Sequence, residues 1–229
     1  TTSINDAPVL DTNVALSLAP IDMNVDLTNN PGMFVTDLLA SGGADPISDP
    51  DVGALEGIAI SGVDEHHGVW ESSTNKGTNW SSLSSVGVSN ARLLSANASS
   101  RIRFRPEPGF HGLATLNFRA WDRTSGANGS YVDVSTNGGT TAFSATKTTA
   151  SIKVVGPPVL VSPSYRPSNP GLKLSLTGEP GRNCAIEAST NLADWRSLTN
   201  LSLGTGTVWF IDTAATNVAQ RFYRALLLP

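Results

Sequence analysis

Arg101-Ile102-Arg103-Phe104-Arg105 alternates strictly between a long cation and an apolar side chain. Successive side chains of an extended strand point to opposite faces, so Ile102 and Phe104 face inward and three guanidiniums outward. A little further on, Leu113-Ala114-Thr115-Leu116-Asn117-Phe118-Arg119-Ala120-Trp121 keeps the same period, and Trp121 reads as core. Working outward, residues 14–18, 58–63 and 150–155 also read as strands, separated by clusters of Gly, Pro, Asn and Asp at the spacing of a β-sandwich. Only residues 34–40 and 91–98 carry helical spacing, each for about two turns or less. The expected class is all-β.

Composition agrees. Ser, Thr and Asn make up 66 of the 229 residues, and 15% are charged. A chain of this length forms one large or two modest domains and buries a core without staples. The boundary falls at Gly156-Pro157-Pro158, because proline cannot continue a ladder. The expected organisation is two β-sandwich (Ig/cadherin-like) domains in tandem. Residues 1–6 form a strand or linker shared with a neighbouring domain, 7–155 the first sandwich, 156–160 a Pro-rich linker, and 161–229 a small C-terminal β-domain. The strands of that domain are expected at 172–177, 185–189, 208–212 and 221–227.

Several classes fall away. No apolar run reaches the roughly 18 residues of a membrane span. A net charge of −4 argues against a nucleic-acid partner. The single cysteine, Cys184, excludes a disulfide framework and a cysteine zinc site, and it reads as a small buried hydrophobe. No Gly-x-Ser-x-Gly elbow occurs, and His66, His67 and His111 read as surface residues, so no catalytic set assembles. Adjacent His66 and His67 cannot easily share one ion from a strand.

The acids are unevenly spread. Eleven of the nineteen lie in the first 65 residues, which contain no Lys or Arg. Two readings stay open: a solvated acidic face relieved by later arginines, or a site for a divalent cation. Five tryptophans add a sugar-stacking alternative, with Trp70 and Trp80 as the exposed candidates.

Two internal echoes stand out. Residues 1–10 parallel 148–160, each reading as a last strand, a linker, a proline and the first strand of the next domain. Thr1, Thr2, Ser3 and Ile4, continuing to Val9, therefore read as a strand available for addition to a neighbour's sheet edge. Separately, Glu71-Ser72-Ser73-Thr74-Asn75-Lys76-Gly77-Thr78-Asn79-Trp80 parallels Glu187-Ala188-Ser189-Thr190-Asn191-Leu192-Ala193-Asp194-Trp195. Each reads as a strand, a tight turn bonded by an Asn side chain, and a Trp folding back onto the hairpin. The first copy nearly fits an Asp-box turn.

The segments Asn5-Asp6-Ala7-Pro8, Ser48-Asp49-Pro50-Asp51-Val52-Gly53-Ala54-Leu55-Glu56-Gly57, Gly109-Phe110-His111-Gly112 and Phe118-Arg119-Ala120-Trp121-Asp122 together resemble the cadherin-like repeats of bacterial surface proteins. The resemblance covers about residues 5–155. It implies a module of a secreted or cell-surface adhesin or fibre, with copies of itself or adjacent repeats as partners. It also implies calcium at a domain junction, with Asp6, Asp49, Asp51, Glu56 and Asp122 as ligands. Met23-Asn24 stands where the family often carries Glu-Asp, which removes two carboxylates. Residues 186–195, 210–212 and 221–224 resemble a small β-domain at the C-termini of exported bacterial proteins. The resulting expectation is a non-enzymatic extracellular structural protein, assembling head to tail by strand addition. The alternative is a carbohydrate-binding module that takes surface glycans.

Overall fold

The alternation at 101–105 becomes one strand at the centre of a four-stranded sheet. The computed structural model describes residues 4–161 and 171–228, so Thr1, Thr2 and Ser3 lie outside the described residues. The chain divides into two units, Thr1–Val154 and Val155–Pro229, and the regular structure of both is almost wholly strand.

In the first unit the strands are β1 (Val9–Leu10), β2 (Leu16–Ser17), β3 (Ile21–Asp22), β4 (Met33–Phe34), β5 (Ile47–Ser48), β6 (Gly57–Val63), β7 (Gly68–Ser73), β8 (Ser81–Ser82), β9 (Ala91–Ser95), β10 (Arg101–Pro106), β11 (Gly112–Trp121), β12 (Tyr131–Val132) and β13 (Thr148–Val155). One short helix, α1, spans Val35–Ala40, where helical spacing predicts it. One sheet runs β4-β10-β7-β8, a larger one runs β12-β9-β6-β11-β13-β2 with β3 also on β13, and β1 pairs with β5. Trp70, Ile102 and Phe104 of the first sheet share a core with Ile58, Ile60, Leu116, Phe118 and Ala120 of the second. The inward pair read from the sequence, Ile102 and Phe104, is buried.

The segment 91–98 departs from expectation. Residues 91–95 form β9, an interior strand rather than a helix, and all five are buried. Leu94 faces the main core, whereas Ala91 and Leu93 face a second cluster with Trp121, Val134, Ala142 and Phe143. A strand covered on both faces reads as a continuous apolar run with no period of two. The cover is the chain after β11, which folds back so that Trp121 Nε1 donates to the Ser125 carbonyl at 2.8 Å.

In the second unit β14 (Val159–Val161), β15 (Leu172–Thr177) and β18 (Thr207–Asp212) form one sheet. β16 (Asn183–Ser189), β17 (Arg196–Ser202) and β19 (Phe222–Leu227) form the other, in the order β17-β16-β19. Both contribute to a core around Leu176, Cys184, Ile186 and Leu203. Cys184 is fully buried, and burial pushes its thiol pKa up. The Pro-Val-Leu that closes each half of the first echo leads into β1 in one unit and β14 in the other.

Candidate functional site

The acidic candidates meet because β1 pairs with β5. Val9 lies opposite Ser48 and Leu10 opposite Ile47, so the residues before β1 run beside the Asp49-Pro50-Asp51 loop that follows β5. The Asp6 backbone N–H donates to Asp51 Oδ2 at 2.8 Å, and the Asp51 N–H donates to Asp49 Oδ1 at 2.8 Å. Asn5 Nδ2 donates to Asp122 Oδ2 at 2.9 Å, and Ala7 N–H donates to the Gly139 carbonyl. Asp122 is buried, and its other oxygen accepts from the Thr124 N–H and hydroxyl. Glu56 turns elsewhere, to Asp45 in a cavity of about 250 Å³ beside Leu39 and Ala40. Burial first, and the Asp45 charge second, raise its pKa.

The five residues therefore do not converge as the resemblance implies. Among the described residues, no group of three or more His, Cys, Asp or Glu could hold a metal ion. Asp49 Oδ2, buried without a hydrogen-bond partner, is the feature a cation would satisfy. Calcium takes six to eight oxygens, and the neighbouring carboxylates are already accepting backbone and amide hydrogens. They work as clamps on the segment that precedes β1.

The tryptophans read as exposed turn out to be occupied. Trp70 is 1% exposed, packed against Phe104 with ring centroids 5.1 Å apart. It lies opposite Phe104 in the β7–β10 register, and opposite residues of an antiparallel pair share a face, so Trp70 points inward with it. Trp80 is half-buried, and the Arg103 guanidinium carbon sits 4.0 Å from its ring centroid. A Cβ on Gly32 (φ +68°) would come within 2.6 Å of the Trp80 ring and 2.7 Å of the Ile102 carbonyl oxygen, so only glycine fits there. Trp70 offers no face for sugar stacking, and Arg103 covers one face of Trp80.

The second echo resolves into one device built twice. In the first copy the Asn75 side chain accepts from the Asn79 N–H, while Ser73 Oγ accepts from Gly77 N–H. In the second, Asn191 Oδ1 accepts from the N–H groups of Ala193 and Asp194. Each turn delivers its Trp to a cross-strand pair that the sequence pattern alone did not expose. Glu71 lies opposite Arg103, bonded at 2.7 Å, with Arg103 under Trp80. Glu187 lies opposite Arg224, bonded at 2.7 Å, with Arg224 at 4.3 Å from the Trp195 ring. Glu at the start of both copies was the available signal; its Arg partner lies 32 and 37 residues away. The outward arginine Arg103 is consequently 8% exposed.

The remaining titratable groups stand apart. His66 is exposed, with Nδ1 2.8 Å from Asp64 Oδ1, and hydrogen bonds from His66 hold the Asp64 carboxyl below its usual range. His67 stacks on Phe110 at 4.5 Å, and His111 is exposed. In the second unit Asp212 is buried between Arg221 Nε and the Tyr223 hydroxyl, at 2.7 and 2.9 Å.

No protein-family model, curated protein or solved structure matches this chain. No helix among the described residues is long and apolar enough to cross a membrane.

Proposed function

We propose that this chain is a non-catalytic structural module of an extracellular surface adhesin or fibre, made of two β-sandwich domains. The observation that carries the reading is how its polar groups are used. Charged side chains lock strand to strand, as Glu71 does to Arg103 and Glu187 to Arg224. The segment ahead of β1 is clamped by Asn5–Asp122 and Asp6–Asp51. Ladders and clamps of this kind resist pulling along the chain. Single-molecule stretching tests this directly: two discrete unfolding events are expected, and Asn5→Ala with Asp51→Ala should let the leading segment peel at lower force. Turnover of a substrate by the isolated chain, abolished by one side-chain replacement, would overturn the reading.

Head-to-tail assembly by strand addition belongs to the same proposal in a narrower form. Val9 already pairs with Ser48 of its own unit, so a donated strand is confined to the residues ahead of Asn5. Deleting residues 1–4 keeps the β1–β5 ladder and is expected to abolish polymers; polymers that persist refute this part.

A further inference from the structure

β18 differs from every other sheet edge among the described residues. β2, β4, β8 and β12 are two residues long, too short to recruit a partner. β14 has three residues and follows Pro157-Pro158. β17 bulges, because Ile186 pairs with Thr199 and Glu187 with Ser197, leaving Leu198 extra. β19 carries Arg224 on its exposed side. Short strands, prolines, bulges and charges are the usual means of blunting an edge. β18, Thr207-Val208-Trp209-Phe210-Ile211-Asp212, has none of them across its first five residues and, among the described residues, pairs over its whole length with β15 alone. Val208 and Phe210 pack against the core of the unit, whereas Trp209 and Ile211 are 53% and 44% exposed. On the β15 side Trp209 faces only Ser175, with Lys173 Nζ 4.1 Å from the ring centroid.

We propose that β18 pairs antiparallel with β18 of a second copy of this chain, about a two-fold axis at Trp209. The register follows from which faces must match. Opposed side chains share a face, so a one-residue slip would set the core-facing Val208 and Phe210 against the outward Trp209 and Ile211. Centring on Phe210 would place Asp212, already committed to Arg221 and Tyr223, opposite Val208 of the second copy. Centring on Val208 would leave Ile211 beyond the overlap of the apolar residues. With Trp209 at the axis, the two Trp209 side chains face each other and Thr207 faces Ile211. Asp212, at the end of β18, falls at the opposite end from its copy, so the two carboxylates do not meet. An isologous contact of this kind closes as a dimer. One strand edge buries less than the roughly 1,200 Å² at the low end of standard interfaces, so the dimer belongs with weak, transient contacts. This pairing does not rest on the functional proposal above, and deleting residues 1–4 leaves it intact.

The test is analytical ultracentrifugation of the full chain from about 5 to 500 µM, a range that brackets such a transient contact, with Thr207→Lys as the variant. The expected result is a reversible monomer–dimer equilibrium weakened at least tenfold by the lysine, with an unchanged circular dichroism melt showing that the fold is intact. As an independent reading, Trp209→Cys places two thiols directly opposite, within the 4.4–6.8 Å Cα range of a disulfide. Oxidation should then trap a covalent dimer, whereas Leu226→Cys, 41% exposed on β19, should not. A chain that stays monomeric throughout, a dimer indifferent to Thr207→Lys, or equal cross-linking at both cysteines would overturn the proposal.

Discussion

Replacing Glu71 with Gln should be among the most costly single changes available to this protein. Glu71 Oε2 receives Arg103 Nε at 2.7 Å, and its other oxygen receives Arg105 at 3.3 Å. The side chains of Glu71 and Arg103 are only 11% and 9% exposed, so water cannot replace the lost carboxylate. Removing one partner of a buried pair leaves an uncompensated charge and costs about 3–5 kcal/mol. In a unit of this size each kilocalorie moves the melting temperature by about 2–4 °C, so the midpoint of the first unit should fall by roughly 10 °C. The second unit supplies the internal control. Glu187→Gln breaks the same Glu–Arg–Trp arrangement, but Arg224 is 43% exposed there, and exposed pairs contribute about 0.2–1 kcal/mol. Differential scanning calorimetry resolves the two transitions. Equal losses for the two variants, or a loss below 1 kcal/mol for Glu71→Gln, would refute the claim that burial sets the strength of this clip. The double replacement Glu71→Leu with Arg103→Met should recover most of the stability, since it leaves no buried charge uncompensated and Arg105, 42% exposed, turns to water.

Further outcomes follow from the same structure. Asn30→Leu should destabilise the first unit by about 1–3 kcal/mol in urea denaturation, because Asn30 Nδ2 satisfies the buried Phe104 carbonyl at 2.7 Å. Gly32→Ala should lower the melting temperature and raise Trp80 accessibility to acrylamide, because the added methyl meets the Trp80 ring and the Ile102 carbonyl oxygen. Burial, with the Asp212 hydrogen bond second, raises the Tyr223 pKa to about 12 from its ordinary value of 10.0. A raised folded pKa gives stability that is full below the unfolded value and lost as pH climbs through the folded one. The second unit should therefore weaken between pH 10 and 12, and Tyr223→Phe should flatten that decline in thermal melts. Millimolar calcium or a chelator should shift the melting temperature by no more than about 1 °C, since binding stabilises only in proportion to occupancy of a native site; a rise of several degrees would restore the ion to Asp49 and Asp51.

The sequence alone determined what depends on neighbours along the chain. Strict alternation at 101–105, and the same period through 114–120, are incompatible with a helix, so the all-β class was legible, as were Trp121 and Cys184 as buried residues. The Ser-x-Asn turns at 73–75 and 189–191 were legible for the same reason, since an Asn side chain bonds backbone only a few residues on. The tertiary structure decided everything that depends on register between distant strands. Trp70 points inward because β7 sets it opposite Phe104, and Asp6 reaches Asp51 because β1 pairs with β5. Residues 91–95 form a strand because the chain after β11 covers their second face, erasing the alternation by which strands are recognised. Arg103 and Arg224 find their glutamates for the same reason: the partner is fixed by which strands lie side by side, and local sequence carries no record of that.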